Sequence, residues 1–129
     1  MSRNCLVGTI PSELGVMENL VELDLSYNGL SGTFPTDTKL FNLVKLNLAE
    51  QYYNDHSCTS SDGTVINTMY SQGIESNGQN MGIIGSILGP QIENMMLLEE
   101  IFIQGNYFSG SISSEIGNIK QLGMYICSS

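Results

Sequence analysis

Internal repetition constrains this chain more than any other feature. Leu20, Leu23, Leu25, Asn28, Leu30, Gly32, Phe34 and Pro35 set out a spacing. Leu98, Ile101, Ile103, Asn106, Phe108, Gly110, Ile112 and Ser113 reproduce it position for position in residue class, with only the proline replaced by a different kind of residue. The same pattern runs through Asn4, Leu6, Gly8, Ile10 and Pro11, on through Leu14 and Gly15 to Leu20. It returns as Leu43, Leu46 and Leu48, and again as Leu122, Tyr125 and Cys127. A fixed period of about 20 to 50 residues marks a unit that cannot bury its apolar face alone and stacks on its own copies, so a solenoid is expected.

Each conserved offset has a physical role. Leu20-x-x-Leu23-x-Leu25 ends in strict alternation, which turns Leu23 and Leu25 into a core while Asp24 and Ser26 face the other way, as a strand requires. Asn28 follows where the chain must turn, and its amide can satisfy backbone groups that burial would strand. Gly32 permits a bend and Pro35 removes a donor, so Leu30 to Pro35 reads as an extended, turning segment on the outer side, outside any ladder. Ser12 to Asn19 and Ser114 to Gln121 are too short and too glycine-interrupted for more than one or two helical turns.

These residues resemble the plant-type leucine-rich repeat family, whose unit reads Leu-x-x-Leu-x-Leu-x-x-Asn-x-Leu-x-Gly-x-Ile-Pro followed by a short helical return. The resemblance covers residues 1–50 and 82–129. It implies an α/β fold: a right-handed horseshoe solenoid with a concave parallel β-sheet, short 3-10 or helical returns and one long insertion. It also implies recognition of a protein, peptide or glycan by a receptor-like protein. The chain is expected to be a single domain, with repeats at about 1–19, 20–42, 43–97, 98–121 and a partial one at 122–129.

The frame breaks once. After Leu48 the pattern calls for Asn at 51, a large apolar residue at 53 and Gly at 55, and the sequence supplies Gln51, Tyr53 and Asp55. It resumes at Ile83, Gly85 and Ile87, so Leu43 to Leu98 spans 55 residues where one unit takes about 24. An insertion near 51–81 is expected just past the strand. The alternative is a degenerate extra repeat in which Val65, Ile66, Met69, Tyr70 and Ile74 supply a weak strand. The insertion is rich in Ser, Thr, Asn and Gly and reads as a polar surface loop, with a partner-gripping excursion as its functional reading.

Catalytic and metal chemistry find little footing. His56 and Cys58 stand at i and i+2 in that loop with no oxyanion donor, and Asp55 to Gly63 lacks the alternating acids and closing Glu of a calcium loop. Gly78, Gly82, Gly85 and Gly89 have the wrong spacing for a phosphate loop. Cys5, Cys58 and Cys127 include no Cys-x-x-Cys pair and leave at most one internal disulfide, of open pairing. Cys127 falls in the core column of Leu25, Leu48 and Ile103 and reads as a buried hydrophobe. No enzyme, metal or cofactor is expected.

Thirteen acids against four bases give a net charge of −9, which repels nucleic acid and anionic membrane surfaces. The chain has neither a run of about 18 apolar residues nor a signal-peptide apolar region. Extracellular or cell-surface placement is therefore implied by the resemblance alone.

The candidate site is the outward face of the strands. One column across the sheet is Asp24, Asn47, Phe102 and Ile126, and the next is Ser26, Ala49, Gln104 and Ser128. Tyr27, Glu50 and Gly105 lie beyond the strand ends, and Glu22, Lys45 and Glu100 lie on the near side. Solvation of the sheet explains Glu22 and Lys45, whereas an exposed Phe102 beside Ile126 suits a contact patch. The candidate binding residues are Asp24, Ser26, Tyr27, Asn47, Glu50, Phe102, Gln104 and Ile126. Both ends cut across a repeat, and a sheet of four or five strands at about 4.8 Å spacing is only about 20 Å wide, against the roughly 800 Å² of a standard footprint. Further repeats of a longer parent chain are the expected neighbours, and a structural spacer or gene-model fragment is the alternative reading.

Overall fold

The computed structural model describes residues 4, 6–35, 37–51, 58–59, 65–67, 82–86 and 89–125. Its strands in chain order are β1 (Val7–Thr9), β2 (Glu22–Asp24), β3 (Gly29–Thr33), β4 (Lys45–Asn47), β5 (Cys58–Thr59), β6 (Val65–Asn67), β7 (Gly82–Gly85), β8 (Glu100–Phe102), β9 (Tyr107–Phe108) and β10 (Gly123–Tyr125). Short 3-10 turns at Ser12–Val16, Pro90–Asn94 and Ser114–Asn118 carry the chain back between coils, the first and the third where the glycine-interrupted segments predict them. Ser113 caps the third turn by accepting the backbone N–H of Glu115 at 3.2 Å, which satisfies one of the donors a helix start leaves open.

The inner sheet runs β2-β4-β8-β10, all parallel. Leu23, Leu46 and Ile101 stand in register on its buried face, and Asp24, Asn47 and Phe102 stand in register on the other. Leu43, Leu48 and Leu98 fill the flanking core columns and are fully buried, whereas Leu20, Leu25 and Leu122 in the end coils are only partly covered. Each coil covers only its neighbours, so burial is complete in the middle of the stack alone.

A second parallel sheet, β1-β3-β7-β9, lines the opposite side. The expectation that Leu30 to Pro35 stays outside any ladder is therefore corrected, because Gly29–Thr33 pairs with Val7–Thr9 on one side and Gly82–Gly85 on the other. Pro35 lies past the last paired residue and costs the ladder no donor. Gly32 bends the strand at φ +77° while remaining in it, and a Cβ there would come within 2.9 Å of the Thr9 methyl group on the preceding coil.

Between the sheets runs a row of amides, of which Asn28 and Gln51 are buried. Asn28 accepts the Leu6 backbone N–H at 3.1 Å and donates to the carbonyls of Leu25 and Ser26. Asn106 accepts from Ile83 at 2.9 Å and donates to Leu48, Ile103 and Gln104. Gln51, the residue at which the Asn pattern breaks, fills the same place. It accepts from Leu30 at 3.2 Å and donates to Leu25 at 2.7 Å and Leu48 at 3.1 Å. The extra methylene is accommodated without loss of a single partner type.

β5 and β6 form a separate antiparallel pair. β4 pairs directly with β8 and β3 directly with β7, so no further strand stands between these coils in either parallel sheet. β6 is thus not the concave strand of an extra repeat. Most of the expected insertion, with His56, lies outside the described residues, as do Cys5 and Cys127.

Candidate binding site on the concave face

Strand alternation brings the outward residues of three successive coils onto one surface. Asp24, Ser26 and Tyr27 come from the first, Asn47 from the second, and Phe102 and Gln104 from the third. Together with Asn4 and Ala49 they line a concavity of about 500 Å³. Six of the eight expected binding residues therefore share one cavity.

Two do not. Glu50 is turned away from the cavity lining, and its carboxylate lies beside Gly105, 2.9 Å from where a Cβ on that glycine would stand. Ile126 lies outside the described residues. The last strand is also set one residue earlier than the Leu122 spacing predicts: Met124 is paired with Ile101 and Tyr125 with Phe102. Tyr125, expected in a core column, therefore holds the register position beside Phe102 that the repeat pattern assigns to Ile126.

Asp24 is the electrostatic centre of the cavity. Its Oδ1 accepts the Ser26 backbone N–H at 2.9 Å and the Ser26 hydroxyl at 2.6 Å, and its Oδ2 accepts the Asn47 side-chain amide at 3.1 Å. Partial burial pushes its pKa upward. The two Ser26 hydrogen bonds, the Asn47 amide and the nearby Lys45 charge outweigh that effect and hold the carboxyl below its ordinary range. The group is ionised throughout the neutral range. Asn47 repeats the local geometry one coil on, its Oδ1 accepting the Ala49 backbone N–H at 3.2 Å.

Phe102 is partly buried rather than exposed as expected. The Lys45 ammonium makes a 2.8 Å ion pair with Glu100 on the next strand and stands 5.5 Å from the centre of the Phe102 ring. The hydrogen bond and charge of Glu100 raise the Lys45 pKa above its ordinary value. Sequence alone assigns Lys45 and Glu22 to solvating the sheet. The strand register sets Lys45 opposite Glu100, its neighbour in the same near-side column, and the two side chains pair there.

Tyr27 and Glu50 adopt left-handed backbone at φ 55° and 58°, and Gly105 holds the same place at φ 65°. This conformation turns the chain out of each concave strand into the amide row. Asn4 holds the Asn position of the repeat pattern. No described coil precedes it, so it is exposed and reaches the cavity instead. No sequence signal separates it from Asn28, because the difference is the coil that covers it.

Among the described residues, no group of His, Cys, Asp and Glu is arranged to hold a metal ion, and no helix is long and apolar enough to cross a membrane. Residues 19–40 and 97–119 match the Leucine Rich Repeat family model. No curated protein matches the chain. Among solved structures the chain is similar to the LRR ectodomain of the Arabidopsis receptor kinase HAESA, crystallised in complex with an N-terminally extended IDA peptide hormone ligand. That likeness covers all of this chain and 21% of the HAESA chain, at 22% sequence identity and a TM-score of 0.52. The chain thus spans about a fifth of that ectodomain's length.

Proposed function

Because the chain is a leucine-rich repeat solenoid, we propose that it is a non-enzymatic recognition module whose concave face binds a protein or peptide partner. The observation that carries this reading is the cavity itself: Asp24, Asn47 and Phe102, in register on three neighbouring strands, open with Gln104 onto one concavity of about 500 Å³. A carboxylate, amides, a hydroxyl and an aromatic ring on a rigid parallel sheet make a surface of polar specificity around an apolar anchor. The HAESA ectodomain, similar in fold, is bound to a peptide hormone, which favours a peptide or protein over a glycan. The module belongs to the outside of a cell on this reading, as part of a longer receptor-like protein whose further repeats extend the face.

The reading is tested by capture of a binding partner with the immobilised chain and with a Phe102→Ala, Asp24→Ala variant whose circular dichroism is unchanged. Retention of a partner by the parent chain and a loss of about tenfold or more in affinity on the variant is the expected result. Equal affinity on both would remove the concave face as the binding site.

A further inference from the structure

The hydrogen bonds inside the cavity restrict what it accepts. An ionised carboxylate offers about four lone-pair sites, two on each oxygen. Asp24 Oδ1 already receives two hydrogen bonds, both from Ser26, and Oδ2 receives one, from Asn47. One acceptor site is left, on Oδ2. A guanidinium fork needs both oxygens for its two parallel bonds, while an ammonium is a compact charge that binds through a single N–H. Gln104 Oε1, on another wall of the same cavity, is withdrawn from solvent and has no hydrogen-bond donor among the described residues. The described lining residues include no lysine or arginine, and the nearby Lys45 is committed to Glu100 at 2.8 Å.

Resting on the concave-face reading above, we propose that the cavity receives a primary ammonium group of a peptide partner, with one N–H on the open site of Asp24 and the carbon stem against Phe102. A lysine side chain and a chain-terminal amine share this chemistry. The stem gains apolar contact on the ring while the charged head reaches the carboxylate, the usual arrangement of a half-buried lysine. The overall charge of −9 adds long-range attraction that salt weakens.

The experiment is an NMR titration of the full chain, following the Ser26 and Ala49 backbone amides and the Asn47 side-chain amide. The probes are Nα-acetyl-lysine amide, norleucine amide, Nα-acetyl-arginine amide and Nα-acetyl-norleucine amide. Shifts with the first alone assign a lysine side chain, and shifts with the second alone assign a terminal amine. The neutral acetyl-norleucine amide is expected to move none of them. Asp24→Asn is expected to weaken ammonium binding about tenfold, and Glu22→Gln, outside the lining, to leave it unchanged. Phe102→Ala, which leaves Asp24 and its partners in place, is expected to weaken it several-fold. Arginine binding as tightly as either ammonium, the neutral probe shifting the same signals, or undiminished binding to both Asp24→Asn and Phe102→Ala would each overturn the inference. So would ammonium probes that shift no cavity signal. A protein partner that loses affinity on Phe102→Ala and keeps it on Asp24→Asn would end the ammonium assignment and leave the concave-face reading standing.

Discussion

Gln51 accepts the backbone N–H of Leu30 at 3.2 Å, joining the exit of one concave strand to the outer strand of the preceding coil. The side chain is fully buried, and its amide also satisfies the carbonyls of Leu25 and Leu48. Replacement by leucine would strand these groups away from water. Gln51→Leu is expected to destabilise the fold by about 3 kcal/mol, and Gln51→Asn, the residue used at 28 and 106, by about 1 kcal/mol. Urea denaturation of the two variants measures the difference. A smaller loss in the leucine variant than in the asparagine variant would mean that side-chain volume matters at this position and hydrogen bonding does not.

Gly105 tolerates no side chain. An added Cβ would stand 2.9 Å from Glu50 Cα and 3.0 Å from Glu50 N, and the backbone is at φ 65°. Gly105→Ala is expected to cost about 2 kcal/mol. Truncating the Glu50 side chain in the same molecule should not restore it, because the obstructing atoms include backbone. Recovery of the parent melting temperature in the double variant would contradict this account.

Thr38 is 1% exposed, and its hydroxyl has no hydrogen-bond partner among the described residues. Valine has the same shape without the polar atom. Thr38→Val is expected to stabilise the protein by about 1 kcal/mol and to raise the melting temperature by a few degrees, since the Asn94 amide bonds the Thr38 carbonyl and not its side chain. Calorimetry showing a loss of stability would reveal a partner for the hydroxyl.

Acid should weaken the fold through Asp24. Its folded pKa lies below the ordinary value of 3.8, so the unfolded chain takes up this proton first as pH falls. The stabilising contribution is therefore complete above the ordinary value and disappears as pH drops through the lower, folded one. Asp24→Asn should be most destabilising at neutral pH and should show a shallower loss of stability below about pH 4. Parallel acid limbs for the two proteins would separate Asp24 from the effect.

The buried columns were legible because solenoid geometry is local. A period of about 24 residues, alternation in Leu23-x-Leu25 and the Asn at 28 and 106 are enough to dictate coils, inward faces and short 3-10 returns. Most of the candidate site was legible for the same reason, since a residue facing away from the core of a concave strand must line its open face. Asp24, Ser26, Tyr27, Asn47, Phe102 and Gln104 do so.

What the residues alone could not decide depends on neighbours far along the chain. Gln51 looked like a broken pattern, and only the carbonyls of Leu25 and Leu48 around it show that a longer amide meets the same partners. The outer sheet, the one-residue earlier register of β10, the turning of Glu50 towards Gly105 and the bridge from Lys45 to Glu100 all follow from how one coil is laid on the next. Sequence by itself determined that this chain coils and which side chains face inward, because both depend on spacing within a repeat. Tertiary structure decided which outward residues meet in one cavity and which of their hydrogen-bonding sites stay open, because those depend on distances between repeats.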